Sequence, residues 1–112
     1  MADPVPKPTY RKRKPEKAQK IIMQDVRECW VCGCVSSLES HHCFQGANRS
    51  KSEKYGLKVW LCNRHHNQNI PGDPGIHFNP QLRRSLQQEA QRKFEEEYSR
   101  ETFFLEFGRS YL

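Results

Sequence analysis

Apolar and polar residues follow different spacings in successive parts of the chain, and each spacing predicts an element. Leu82, Leu86, Ala90, Phe94 and Tyr98 recur at every fourth position, the stripe of an amphipathic helix. Asn79-Pro80 starts this helix, a capping side chain followed by proline at the first helical position, and it runs to about Tyr98. Ser99 caps a short helix from Arg100 to Phe107, which Gly108 ends. Phe103, Phe104 and Phe107 make it sticky, so residues 79–112 should pack on the core or form a homodimer. Upstream the period shortens. Leu57-Lys58-Val59-Trp60-Leu61 alternates as a half-buried strand does, and Leu38 to Phe44 reads as another. Alternation there puts Leu38, Ser40 and His42 on one face and Glu39, His41 and Cys43 on the other. Gln45 to Gly56 is polar and punctuated by glycine, which predicts a loop. Cys62 to Asn69 reads as a short helix, ended without regular structure by Ile70-Pro71-Gly72-Asp73-Pro74-Gly75. Ile76, His77 and Phe78 form a short apolar return.

Composition narrows the picture. With 35% hydrophobic residues and a mean hydropathy of −0.98, the 112-residue chain supports one modest core that needs a staple, commonly a metal in so small a domain. Five cysteines is an odd number, and their short spacings favour metal over disulfides. No apolar run approaches the roughly twenty residues that span a bilayer, so a soluble, cytoplasmic protein without a membrane partner is expected. The charge of +6 is uneven: residues 1–20 carry seven Lys/Arg against Asp3 and Glu16, a net of +5. The same stretch holds four prolines, so residues 1–24 should be a disordered basic arm. Arg11, Lys12, Arg13 and Lys14 could lie along DNA phosphates, releasing counterions. Arg49, Lys51 and Lys54 make a second basic cluster, inside the folded part.

The candidate chemistry lies between Cys29 and His66, a span that holds all five cysteines and four of the five histidines. Cys29-x2-Cys32 and Cys62-x2-His65 are half-sites of the kind that close a tetrahedral zinc in a treble clef. Four ligands leave no open position, so this zinc would be structural. The opposing reading is a set of buried free thiols with His65 on the surface. Cys34 is too close to Cys32 for the usual knuckle, and Cys43 suits a small buried position. If Cys62 and His65 face the zinc, His66 lies about 100° further round the helix and turns toward the strand bearing His41 and His42. That convergence suggests an open metal site. Hydrolysis of a phosphodiester needs a base, a divalent cation and positive groups for the phosphate charge. His42, a cation held by His41 and His66, and Arg49 with Lys51 or Lys54 would supply them. His77 could reach back to the same cation, or simply pack between Ile76 and Phe78.

Cys-x-x-Cys, then Leu-x-x-His-His, then a strand ending Leu-Cys-x-x-His-His resembles the HNH endonucleases of the His-Me finger (ββα-metal) group. The small phage and prophage members, with a basic arm in front and helices behind, are the nearest in layout. The resemblance implies an α+β fold with a zinc-stabilised treble-clef core over residues 25–78. It also implies a single-metal nuclease that leaves 5′-phosphate ends, in phage DNA processing or recombination. His41 and His66 would then ligate the catalytic ion, Mg²⁺ or Mn²⁺, and His42 would be the general base. Gly56-Leu57 stands where the family's middle Asn usually lies, so Asn48, with Asn63 behind it, would orient the base. Ile70 stands where some members carry a further histidine, which leaves His77, Asn69 or water to complete the shell. A non-catalytic zinc module that binds DNA or an adaptor partner is the alternative.

Overall fold

The computed structural model describes residues 21–112, an α+β arrangement of two small antiparallel sheets and four helices. Arg11, Lys12, Arg13 and Lys14 lie outside the described residues. The first sheet pairs β1 (Leu38–His42) with β2 (Lys58–Cys62), in a register running from Leu38 opposite Cys62 to His42 opposite Lys58. The chain enters through a tight knuckle against this hairpin. Cys29 N–H donates to Cys34 O at 2.8 Å, Gly33 N–H returns to Cys29 O, and Trp30 N–H reaches Trp60 O. Gly33 turns there at φ 78°, a left-handed conformation that favours glycine.

The segment between the strands departs from the expected loop. After a 3-10 turn at Gly46–Asn48 it forms α1 (Arg49–Tyr55). Its sequence carries no apolar stripe, because its most buried side chain is a serine. Ser52 is fully buried; its hydroxyl accepts from Phe44 N–H at 3.1 Å and lies within donating reach of Phe44 O and Asn48 O. Helix periodicity counts apolar residues, so it misses an anchor of this kind. Gly56 ends α1 in the left-handed region at φ 71°, its N–H returning to the last turn.

Cys62 leads directly into α2 (Asn63–Asn67), and Asn63 N–H ties its start to Ser37 O at 3.0 Å. The expected irregular Pro/Gly segment is instead a small hairpin, β3 (Asn69–Ile70) with β4 (Asp73–Pro74). Pro71-Gly72 sits at its turn, with Gly72 at φ 80° as a type II turn requires. A 3-10 turn over Ile76–Phe78 follows, then α3 (Pro80–Glu97), capped by Asn79 Oδ1 accepting from Leu82 N–H at 3.1 Å. Leu86, Ala90 and Phe94 of the stripe are fully buried, while Tyr98, beyond the helix end, is 53% exposed. Ser99 caps α4 (Arg100–Phe107).

The core joins both halves of the chain. Phe44, at the end of β1, meets Phe107 and Tyr111 with ring centroids 4.8 Å apart, and Phe103 stacks on Phe107 at 4.6 Å. Tyr55 of α1 meets Phe94 edge-on at 5.0 Å. Gln91 is fully buried yet satisfied: its carbonyl accepts from Tyr111 N–H at 2.7 Å, and its amide donates to Glu95 and Ser110. Among the described residues no helix is long and apolar enough to cross a membrane.

Candidate metal centres and the histidine cleft

Two groups of side chains that could hold a metal ion come together among the described residues: Cys29, Cys32, Cys62 and His65, and separately His41, His66 and His77. In the first, the knuckle supplies two thiols, the end of β2 a third, and the first turn of α2 the imidazole. Cys32 and Cys62 Sγ are 3.8 Å apart, and His65 Nδ1 lies 3.3 Å from Cys62 Sγ and 3.9 Å from Cys29 Sγ. A tetrahedral ion at zinc bond lengths sets S···S edges of about 3.8 Å and S···N edges of about 3.6 Å. The cluster is therefore shaped to hold a metal ion. Burial opposes a thiolate at Cys29, yet hydrogen bonds from the backbone of Cys62, Cys32 and Val31 bring its pKa down to about 6. At Cys32 a backbone bond from Cys34 acts in the lowering direction, but burial and the adjoining Cys29 and Cys62 sulfurs outweigh it and raise the value to about 11. Thiolates this close repel one another unless a cation lies between them. His65 Nε2 faces Asp73 Oδ2 at 3.2 Å, and Asp73 also pairs with Arg64 at 2.9 Å.

Cys34 lies outside the cluster, exposed and bonded to Ser36. Cys43 is buried, and desolvation pushes its thiol far above the ordinary range, so it stays protonated and unreactive.

The second group faces a cleft of about 280 Å³, lined by His41, His42, His66, His77, Arg49, Ser40 and Gln45. Strand alternation separates the histidine doublet, with His41 turned toward α2 and the Ile76–Phe78 turn and His42 toward α1. The ring centroids of His41 lie 5.2 Å from both His66 and His77, and Nε2 of His66 is 3.1 Å from Nε2 of His77. Nitrogens bound to one ion at about 2.1 Å sit about 3.0 Å apart at a right angle and about 3.4 Å apart at the tetrahedral angle. Burial, then the neighbouring His66, His77, His42 and Arg83, lowers the His41 pKa to about 4, so its ring is neutral and available as a ligand. Burial and His66 lower His77 as well.

Glu39, which belongs to no metal-ligand motif of the sequence, fixes the tautomer of His66. His66 Nδ1–H donates to Glu39 Oε1 at 2.6 Å, which leaves Nε2 free to face His77. The bond to His66 holds the Glu39 carboxyl below its usual range. Alternation along β1 placed Glu39 on the face of His41, but only the packing of α2 brings His66 within reach.

Several of the expected site residues lie away from the cleft. Asn48 does not touch His42; its amide donates to Phe107 O at 3.4 Å, because the 3-10 turn aims it at the end of α4. Asn63, the second candidate, reaches Glu39 Oε2 at 3.5 Å. Lys51 donates to Glu106 O, so it staples α1 to α4 rather than facing the cleft. Lys54 is 64% exposed beside Glu106. Arg49 does line the cleft, its Nε donating to His42 Nδ1 at 3.3 Å. Asn69, a candidate for the shell, lies exposed in β3 and is not among the residues that line the cleft.

Compared with protein-family models, with curated proteins and with solved structures, the chain matches none of them.

Proposed function

We propose that the protein is a metal-dependent endonuclease that hydrolyses DNA phosphodiester bonds, built as a zinc-stapled ββα-metal unit of the HNH type. In this reading Cys29, Cys32, Cys62 and His65 hold a structural zinc of treble-clef kind. The observation that carries the proposal is the convergence of His41, His66 and His77 in one cleft with a fourth histidine, His42, and a cationic side chain, Arg49. A closed structural zinc uses four ligands and leaves nothing open, whereas three imidazoles at a solvent-facing cleft leave positions for water and a phosphate oxygen.

A cation held by His41, His66 and His77 would stabilise charge on the nonbridging and leaving oxygens. Three imidazoles without a directly facing carboxylate suit a first-row transition ion better than Mg²⁺, which prefers oxygen ligands. Mn²⁺ is therefore the better of the two ions expected from the sequence. His42 takes a proton from the attacking water, and Arg49 moves from His42 to the phosphate, where its guanidinium can pair with two oxygens. The basic arm adds contacts to the DNA backbone that carry no sequence information.

The test is a cleavage assay on supercoiled, linear, single-stranded and branched DNA. Mn²⁺ should support nicking or cutting and Mg²⁺ much less, with products carrying 5′-phosphates. His42→Ala should lose at least about 10²-fold in rate while keeping its zinc and its melting temperature. Full activity of that variant would remove His42 as the base. Binding without cleavage under every divalent ion, with one metal per chain, would favour a non-catalytic zinc module.

A further inference from the structure

We propose that Glu53 is the positioning residue of the His42 base, holding the imidazole so that Nδ1 faces the cleft. The inference rests on the nuclease reading for its catalytic meaning, and on geometry alone for the tautomer.

His42 and Lys58 are register partners in the β1–β2 pair, so their side chains project side by side from one face of the hairpin. Glu53 of α1 lies over that rung and spans it. Its Oε1 is 2.9 Å from His42 Nε2, and its Oε2 is 3.0 Å from Lys58 Nζ. An ionised carboxylate only accepts hydrogen bonds, so His42 Nε2 carries the hydrogen and donates it. His42 and then Lys58 hold the Glu53 carboxyl below its usual range, which keeps it ionised. The other ring nitrogen gives the same answer independently. It faces Arg49 Nε at 3.3 Å, and guanidinium only donates, so Nδ1 must present a lone pair.

An acceptor on one nitrogen and a donor on the other select one neutral tautomer, with its basic nitrogen outward. A purely structural Glu53–Lys58 pair would leave Arg49 as the one group selecting the tautomer of the neighbouring imidazole. Here the nitrogen left bare belongs to a ring that lines the cleft shared with His41, His66 and His77. The support for Glu53 is rigid, because the buried Ser52 beside it is pinned to the Phe44 backbone. On proton uptake by Nδ1, the carboxylate offsets the imidazolium charge without itself taking the proton. Asn48, turned away to α4, leaves that place to Glu53.

The experiment compares wild type with Glu53→Ala and Glu53→Gln by Mn²⁺-supported DNA cleavage, by Mn²⁺ affinity, and by nitrogen-15 NMR of the His42 ring. Glu53→Ala should lower kcat by about 10²-fold with KM and Mn²⁺ affinity nearly unchanged. Glu53→Gln, whose amide oxygen still accepts from Nε2–H, should regain part of that loss. Wild-type His42 should show protonated Nε2 and bare Nδ1, and Glu53→Ala a smaller share of that tautomer, since Arg49 alone then selects it. Wild-type kcat in Glu53→Ala, or a wild-type His42 protonated on Nδ1, overturns the proposal. Absence of cleavage by the wild type would overturn the nuclease reading instead, and the tautomer measurement would still decide whether Glu53 sets the ring.

Discussion

Asp73 and Glu39 each hold the outer nitrogen of a histidine whose other nitrogen faces a group of metal donors. A carboxylate in this place fixes the tautomer and raises the basicity of the ligand, and its loss typically costs 10–100-fold in metal affinity. Asp73→Asn should therefore weaken zinc retention by roughly that factor, read by competition with a chromogenic chelator. Glu39→Gln should leave zinc content unchanged and weaken Mn²⁺ binding at the histidine cleft to a similar degree, read by titration calorimetry. Equal Mn²⁺ affinity in wild type and Glu39→Gln would show that His66 needs no such support. The histidines and cysteines announced themselves by type and spacing. Their carboxylate partners did not, since Glu39 meets His66 across 27 positions of sequence and no local pattern marks the pair.

At the scale of elements, the meeting of His77 with His66 depends on a close backbone approach. A Cβ on Gly75 would lie 2.9 Å from Arg64 O and 3.0 Å from Gln68 O, both backbone atoms of the α2 segment, so neither yields easily. Gly75→Ala should destabilise the fold by about 1–3 kcal/mol, the usual range for overpacking, and should weaken Mn²⁺ binding by moving His77. Chemical denaturation alongside a metal titration checks both. The α3–α4 corner gives a pH prediction. Burial alone would raise the Glu95 pKa, but Arg100 at 3.2 Å and Gln91 at 2.8 Å outweigh it and hold the carboxyl below its usual value. A depressed carboxyl binds fewer protons folded than unfolded. Its contribution is thus present above the unfolded pKa and is lost as pH falls through the folded one. Glu95→Gln should be less stable than wild type by about 1 kcal/mol at pH 7, with the gap closing as pH drops below about 4.5. Helix α3 was legible because its apolar stripe and Asn79-Pro80 start are both local signals. Helix α1 was not, because a buried serine and its contact with Phe44 replaced the apolar stripe.

For the whole molecule, the aromatic core and the histidine group are joined through one stretch of chain, because Phe44 lies two residues beyond the strand that carries both His41 and His42. Phe94 is fully buried against Tyr55, Phe103 and Phe107, so Phe94→Ala should cost about 3–5 kcal/mol, measured by thermal melting. The described residues 21–112 carry a net charge of only +1 within the total of +6, so on the proposed nuclease reading residues 1–20 should dominate the salt dependence of binding to DNA. Replacing Arg11, Lys12, Arg13 and Lys14 with serine should flatten the slope of log K against log salt by up to about 3–4. An unchanged slope in a fluorescence titration would mean that those side chains do not sit on phosphates.

One residue or a short window of chain encodes the Cys and His donor side chains, the alternation that separates His41 from His42, and the start and stripe of α3. Which side chains meet follows from the packing of whole elements. That packing turned Asn48 and Lys51 to α4, put Glu53 across the His42–Lys58 rung, and brought Glu39 and Asp73 behind two histidines. A hydrogen bond reaches only about 3 Å, so its partner depends on how whole elements pack, and spacing along the chain does not carry that information.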